Sequence, residues 1–439
     1  MSTSHPFFYD QAELRACKRR RTQLLRSTGK ALVLVPAGSA GHLAPFRAAS
    51  DFYYLTAMSV AGAVLVLDPL SDQKPIKLFM PPLTERERQW DGARPGLEEA
   101  TSLFGLDAAF PRADLACFLE AAMGRYTEVY WVPTVDPQLD YLLMQEWCRR
   151  AAPIAVKNGL PAALHDLRPV LAPQRLIKDA LEIERLRRAG KLSAAAHRSV
   201  IQNIRPGFDE RQVHAAIEKA FFDHGGDAIA FPTIAAGGSN TTVLHYVANN
   251  QPIAEDALVL VDAGARLQQY CSDITRTFPI RGRFTAAQRD LYRVVYNAQQ
   301  AVFKAARPGR SFDLLQKTAV KVLAQGMLDL GILQGTLDEV IEQERFKPFY
   351  MHGIGHSLGL DVHDPTPSKL GGKQLAKLEP NIVMTVEPGI YIPSNAPGVP
   401  RKFLGIGVRI EDDILIGEQG CEILTDNDTS PEEIEAMMG

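Results

Sequence analysis

Apolar strand-like runs punctuate the first third of the chain: ALVLVP (31–36), AGAVLVLDP (61–69), then KLFM and EVYWVP. Segments of helical periodicity separate them, and this alternation predicts a small α/β domain. From 151 to 175 the pattern dissolves into Pro, Ala and Leu without a period, with Pro153, Pro161, Pro169 and Pro173. Such a stretch reads as a linker or a domain edge. The boundary is placed at 173, giving domains 1–173 and 174–439.

Beyond it, helical patterns run over 181–203, with Glu182, Glu184, Arg185, Arg187, Arg188 and Lys191 as a charged side, and over 210–224, where Gly225-Gly226 stops the helix. Two more cover 286–307, halted by Pro308-Gly309, and 314–330, before Gly331. The arrangement looks duplicated. In one half LVLVDAG (258–264) delivers Asp262 and CSDITRTFPI (271–280) delivers Asp273. In the other, IVMTVEPG (382–389) delivers Glu387 and GIGVRIEDDILI (405–416) delivers Glu411. The expected fold is therefore α/β (α+β), with an internal αβ pseudo-repeat whose two sheets meet at a site.

Composition narrows the partners. With 439 residues, 46% apolar, 23% charged and a formal charge of -3, the chain describes a soluble globular protein of two or three domains. Nucleic acid is not an expected partner. The N-terminus MSTSHPFFYDQAELRACKRRR lacks the apolar core of a signal peptide, and no stretch approaches the roughly 20 apolar residues of a membrane span. The expectation is a cytoplasmic protein. Cys17, Cys117, Cys148, Cys271 and Cys421 are scattered and odd in number, so neither a disulfide framework nor a thiolate zinc site is indicated. Lys18 to Arg21 read as a solvated helical face. Asn240-Thr241-Thr242 and Asn427-Asp428-Thr429 match the glycosylation pattern without a secretory signal to support it.

The chemistry concentrates in Asp262, Asp273, His356, Glu387 and Glu411. Singly, Asp262 is also readable as a turn residue before Gly264, and Glu387 as a surface residue before Pro388. Yet both end apolar runs, where a buried charge is costly unless paired or bound to metal. Asp273 and Glu411 fall within strand-like stretches, where acids are disfavoured. Four carboxylates in one pocket would repel one another and could not all ionise. Two divalent ions would neutralise them, and such a pair supplies a hydrolytic water ionised near neutral pH. MHGIGHSLGLDVHD (351–364) adds His352 and His363 to His356, but the Glu of an H-E-x-x-H zinc site is missing. Its glycines space as G-x-G-x-x-x-G with no apolar strand before them, which argues against a dinucleotide loop. His245, in TTVLHY, alternates with apolar residues and is also readable as a core histidine.

The set VDAG, SDITRTFP, HGIGHSLGLDVHD, TVEPGIY and GVRIEDD resembles the pita-bread metallopeptidases, a group that includes aminopeptidase P, prolidase and methionine aminopeptidase. The resemblance covers about 174–439. It implies that Asp262 chelates one ion, that Asp273 and Glu411 bridge both, and that His356 and Glu387 complete the second. An oxygen-dominated set favours two Mn²⁺ ions, with cobalt, iron or zinc as alternatives. It further implies Glu387 as proton relay, His245 or His363 at the oxyanion, His352 on the proline side, and Arg409 orienting acidic groups. SDFYYLT (50–56), RERQWDGARPG (86–96) and the terminal PEEIEAMM resemble aminopeptidase P more than prolidase. Asp51 and Trp90 are then candidates for shaping the substrate entrance, against plainer readings as a helix cap and core filler. PTPSKLGGK after Asp364 and Arg47-Ala48-Ala49-Ser50 depart from the family pattern.

The implied activity is hydrolysis of the bond between an N-terminal residue and a following proline, in a homo-oligomer, dimer or tetramer. The alternatives are a prolidase acting on Xaa-Pro dipeptides and a non-catalytic pita-bread peptide-binding protein.

Overall fold

The apolar runs of the first third form the centre of one mixed six-stranded sheet, in the order β4-β3-β2-β1-β5-β6. Its strands are β1 (Leu32–Pro36), β2 (Val64–Leu67), β3 (Ile76–Met80), β4 (Ala108–Pro111), β5 (Glu128–Trp131) and β6 (Ala163–Asp166). β1 and β2 are buried along their whole length, so neither face of the sheet's centre meets water and the residues need not alternate. Helices accompany the strands: α1 (Gln11–Thr28), α2 (Ser50–Thr56), α3 (Glu85–Asp91), α4 (Leu97–Phe104), α5 (Leu115–Ala122) and α6 (Pro137–Ala151). Leu115 and Leu119 of α5, with Leu139 and Leu143 of α6, pack on Leu32, Leu34, Val64 and Val66. The computed structural model describes residues 10–41, 46–151, 161–366, 377–425 and 429–439. Residues 1–9, part of the Pro-rich run (152–160), most of PTPSKLGGK (367–373) and Asn427 with Asp428 lie outside these described residues.

Three expectations for this region are corrected. The Pro-rich run is not simply a linker: β6 pairs in parallel with β5, and α7 (Arg168–Leu176) follows with Pro173 inside it. The four basic residues of α1 do not all face solvent. Arg20 and Arg21 are buried, Arg20 donating to the Tyr54 carbonyl (3.1 Å) above the Tyr54 ring. Arg21 donates to the carbonyls of Leu55 (2.7 Å), Phe104 (3.3 Å) and Gly105 (3.1 Å), tying α1 to the ends of α2 and α4. Trp90 is not core filler but 75% exposed on α3, and the N-cap of α2 is Ala49 rather than Asp51.

Contacts divide the chain into two compact units, Met1–Gln174 and Arg175–Gly439. The second opens with two helices, α8 (Ala180–Asn203) and α9 (Glu210–Asp223), each started by an Asp that completes a capping box. On the expected charged side of α8, Glu182 and Arg185 are in fact buried, against Tyr270. Strands follow: β7 (Ala228–Ile229), β8 (Ile234–Gly237), β9 (Leu258–Asp262), β10 (Ala265–Leu267), β11 (Tyr270–Cys271) and β12 (Thr275–Pro279). A second helix pair, α10 (Ala286–Ala305) and α11 (Phe312–Asp329), with the short α12 (Leu337–Glu342), precedes β13 (Val383–Val386), β14 (Gly389–Ile392), β15 (Ile406–Arg409), β16 (Asp412–Ile416) and β17 (Cys421–Ile423). The terminal α13 (Pro431–Met438) starts at a Ser430 capping box. Helix pair then sheet, twice over, is the pseudo-repeat. The sheets β12-β9-β8 and β13-β16-β17 are joined by an antiparallel bridge between Thr275 and Glu411.

Because Arg21, itself buried, donates to the carbonyls of Leu55, Phe104 and Gly105, Arg21→Leu is expected to lower stability by roughly 3 kcal/mol. Urea unfolding followed by circular dichroism reads this directly; an unchanged midpoint would mean that the carbonyls find other donors.

Candidate metal centre

Two long hairpins carry the acidic residues, and each hairpin bends. β9 pairs with β12, then the chain turns after Asp262 into the β10-β11 pair and returns through 272–274. β13 pairs with β16, turns after Val386 into the β14-β15 pair, and returns through Ile410 and Glu411. The four carboxylates sit at these four bends. Asp273 and Glu411 therefore lie between strands, not inside them as the residue pattern suggests. The tight bend needs a residue without a side chain: a Cβ on Gly264 would stand 1.8 Å from the Ser272 carbonyl oxygen.

The bends bring the side chains together. Asp273, His356 and Glu411 offer ligand atoms all within 4.8 Å of one another. His356 Nε2 is 3.4 Å from Asp273 Oδ2 and 3.9 Å from Glu387 Oε1. His356 Nδ1 lies 3.2 Å from the Ser357 carbonyl, which makes it the protonated nitrogen and leaves the Nε2 lone pair facing the carboxylates. Asp262 Oδ2 accepts from Arg409 at 2.5 Å. Oδ1 of Asp262 and Oδ1 of Asp273 are buried without a hydrogen-bond partner. Buried carboxylate oxygens are rarely left so, and an oxygen-rich donor set with one imidazole suits hard or borderline divalent cations. The residues fit a metal centre.

Electrostatics point the same way. Burial, with Asp262 and Glu387 nearby, holds the Asp273 carboxyl well above its ordinary range. Burial and Asp273 do the same to Glu411, and burial and Glu411 to Glu387. Arg409 counters them. Burial opposes its charge, but Tyr391, Asp262 and Glu411 outweigh that and keep it ionised.

Arg409 also donates to Tyr391 Oη (3.1 Å) and, through Nε, to Thr275 Oγ1 (3.1 Å). Thr275 in turn donates to Glu411 Oε2 at 2.7 Å. His352 Nε2 is 2.8 Å from Tyr391 Oη, while its Nδ1 is 2.8 Å from the Gly353 carbonyl and 3.7 Å from Glu387 Oε2. Nδ1 thus carries the hydrogen and Nε2 accepts from Tyr391. Burial pushes His352 down to about 4, so the ring is neutral. His363 is exposed and edge-on to His356, ring centroids 4.2 Å apart. His245, read as a possible core residue, is exposed, and close enough to His352 to bear on its charge. Asp51 and Trp90 belong to the N-terminal unit, where Asp51 acts electrostatically on Arg168.

Several participants were not read from the sequence. Tyr391 joins His352 to Arg409; it stands two residues past Gly389, at the end of the TVEPGIY motif. Thr275 follows Asp273 by two and opens β12. Asp413 accepts from the Asp273 backbone N–H at 3.2 Å. Arg276 donates to the Glu411 carbonyl and to Asp412, both at 2.6 Å, and so fixes the second bend from below. His197 of α8 donates to the Ala263 carbonyl at 2.9 Å, and burial pushes it down to about 3, which keeps it neutral.

A metallopeptidase with its acids at a bent-hairpin centre is the class that this site defines, and the chain belongs to metallopeptidase family M24, whose profile matches residues 184–418. Residues 17–130 match the aminopeptidase P N-terminal domain. Over 381 residues the chain is 37% identical to the Xaa-Pro aminopeptidase of Haemophilus influenzae, covering 87% of this chain and 85% of that one. The solved structure of Pseudomonas aeruginosa aminopeptidase PepP superposes with a TM-score of 0.92 at 36% identity, covering 98% of each chain. A variant of Escherichia coli aminopeptidase P in complex with substrate superposes with a TM-score of 0.90 at 35% identity, covering 98% of this chain and 99% of that one. Among the described residues, no helix is long and apolar enough to cross a membrane.

Carboxyls raised in the folded state hold protons that a cation must displace. Without metal, the folded protein binds more protons than the unfolded chain above the ordinary carboxylate range, so the site's contribution to stability falls as pH rises from about 4. Adding a divalent cation to metal-free protein near pH 6 is expected to release protons into weak buffer and to raise Tm. Asp273→Asn should release fewer; equal release would mean that Asp273 is not protonated there.

Proposed function

We propose that this protein is an Xaa-Pro aminopeptidase, removing the N-terminal residue from peptides with proline in second place, with the chemistry carried by 174–439. The convergence of Asp273, His356 and Glu411, with Asp262 and Glu387 adjoining, carries this reading. These five residues would hold two divalent ions, and the oxygen-rich set favours manganese. When bound, the ions supply Lewis acidity and neutralise the carboxylates.

The chain's own groups then divide the work. Glu387, 3.9 Å from His356 and 3.7 Å from His352, takes the proton of the attacking water at a carboxylate oxygen and passes it to the departing proline nitrogen as the C–N bond breaks. His245, or in its place His363, stabilises the charge that develops on the scissile carbonyl oxygen. His352, neutral and locked by Tyr391 and the Gly353 carbonyl, holds the proline side rather than donating a proton. Arg409 holds the Asp262 carboxyl in its orientation. The Xaa-Pro amide has no N–H, so a pocket that accepts a ring and demands no donor selects it. Asp51 and Trp90 shape the entrance, in a cytoplasmic dimer or tetramer; these parts rest on the sequence resemblance, and light scattering tests the assembly. The match to an aminopeptidase P N-terminal domain favours this activity over a prolidase.

Metal-stripped protein reloaded with Mn²⁺ is expected to release Xaa from an Xaa-Pro-Yaa tripeptide, read by mass spectrometry, and to lose roughly a hundred- to ten-thousandfold in kcat as Glu387→Gln. Cleavage of the Xaa-Pro dipeptide alone would make it a prolidase. Metal binding with turnover of neither peptide would make it a peptide-binding protein.

A further inference from the structure

His245 stands on a stretch with little regular structure of its own: after β8 comes a short 3-10 turn, Gly238–Thr242, and then an irregular segment up to β9. Its position must come from elsewhere. α9 presents Glu210, His214 and Glu218 at a spacing of four, which places all three on one face of the helix. Glu210 and His214 meet this stretch directly, and Glu218 holds His214.

Glu210 is fully buried and accepts four hydrogen bonds. Oε1 takes the Gly237 backbone N–H (2.9 Å) and the Asn240 side chain (2.8 Å). Oε2 takes Tyr246 Oη (2.7 Å) and the Gln251 backbone N–H (2.8 Å). One carboxylate thus grips the chain on both sides of His245. The rest of the stripe closes the base. His214 Nε2 donates to Glu218 (2.8 Å), which accepts from Thr233 Oγ1 (2.9 Å), and His214 Nδ1 accepts from Asn249 (3.0 Å). Asn249, buried at φ 44°, accepts from the Ala235 backbone N–H at 2.9 Å.

The opposite side is held by β15, the strand that ends in Arg409. The Gly407 backbone N–H donates to Thr241 Oγ1 at 2.9 Å, and a Cβ on Gly407 would stand 2.0 Å from the Thr241 carbonyl oxygen. Tyr246 sits against Ile234, Ala236 and Leu260 with its hydroxyl on Glu210. With the residue after it turned inward, His245 is turned outward.

We infer that Glu210 is a positioning residue for the hydrolysis: through Tyr246, Asn240 and two backbone amides it sets where the His245 imidazole stands. This rests on the role proposed above for His245. The chemistry requires a carboxylate. Four donors need two oxygens that each accept twice, and a glutamine of the same shape offers one such oxygen and turns an NH₂ toward the other two donors.

The test is a double-mutant cycle on the metal-loaded enzyme with the tripeptide substrate, using Glu210→Gln, His245→Ala and both together. Glu210→Gln is expected to lower kcat by about ten- to a hundredfold. His245→Ala should lower it as well, and the double variant should be no slower than His245→Ala. Tyr246→Phe removes one of the four donors and keeps the ring, so it repeats the cycle should Glu210→Gln fail to fold; a loss of a few fold that vanishes beside His245→Ala is expected. Losses that multiply, or Glu210→Gln at the wild-type rate while His245→Ala is slow, would overturn the positioning role. A wild-type rate for His245→Ala would overturn the role of His245 itself, and the inference with it.

Discussion

Mutual repulsion among carboxylates gathered away from water is the constraint on which the catalytic unit is built. Asp262, Asp273, Glu387 and Glu411 lie close enough for each to act on its neighbours' ionisation, and burial adds to the cost. Nothing local favours such a meeting. It persists because the surrounding chain over-determines it: Arg409 and Thr275 hold the acids from one side, Arg276 and His197 hold the bends that carry them. The scaffold stores an unfavourable arrangement that bound divalent metal would convert into a favourable one.

That arrangement explains what could be read from the sequence. Asp262 and Glu387 are legible because each ends a short apolar run before a small residue or proline, and Asp273 and Glu411 because acids stand out in strand-like stretches. The helices are legible from their periodicity and from the Gly and Pro residues that end them. The bends are not, because Ile274 and Ile410 occupy them and the apolar pattern runs through without interruption. Buried charges are equally invisible. Arg20, Arg21, Glu182 and Arg185 look like solvent-facing residues, and their partners, backbone carbonyls and the Tyr270 ring, lie far off in the chain. β6 and α7 are missed for a different reason, since a four-residue strand and a helix containing Pro173 carry weak local signals. His245 turns on a parity that propensity cannot assign: Tyr246 is drawn inward by Glu210, and that partner is visible only once α9 is in place.

The two halves of the unit are alike in plan and unlike in use. Each supplies a bent hairpin with two acids, but among the described residues no arginine pairs with Glu387 as Arg409 pairs with Asp262, and His352 stands there instead. The first half contributes the exposed His245 stretch, the second the histidine-rich segment before β13. A repeated scaffold thus presents two different rims around one shared floor.

The bridge between Thr275 and Glu411 joins residues separated by 136 positions, and the acids on either side of it come from opposite halves. A chain stopped between them possesses two of the four carboxylates and no partner sheet to set them against. Such a fragment has no reason to gather cations, because the repulsion that makes them welcome has not yet been assembled. The chemistry is therefore a property of the two halves together, and neither half carries it alone.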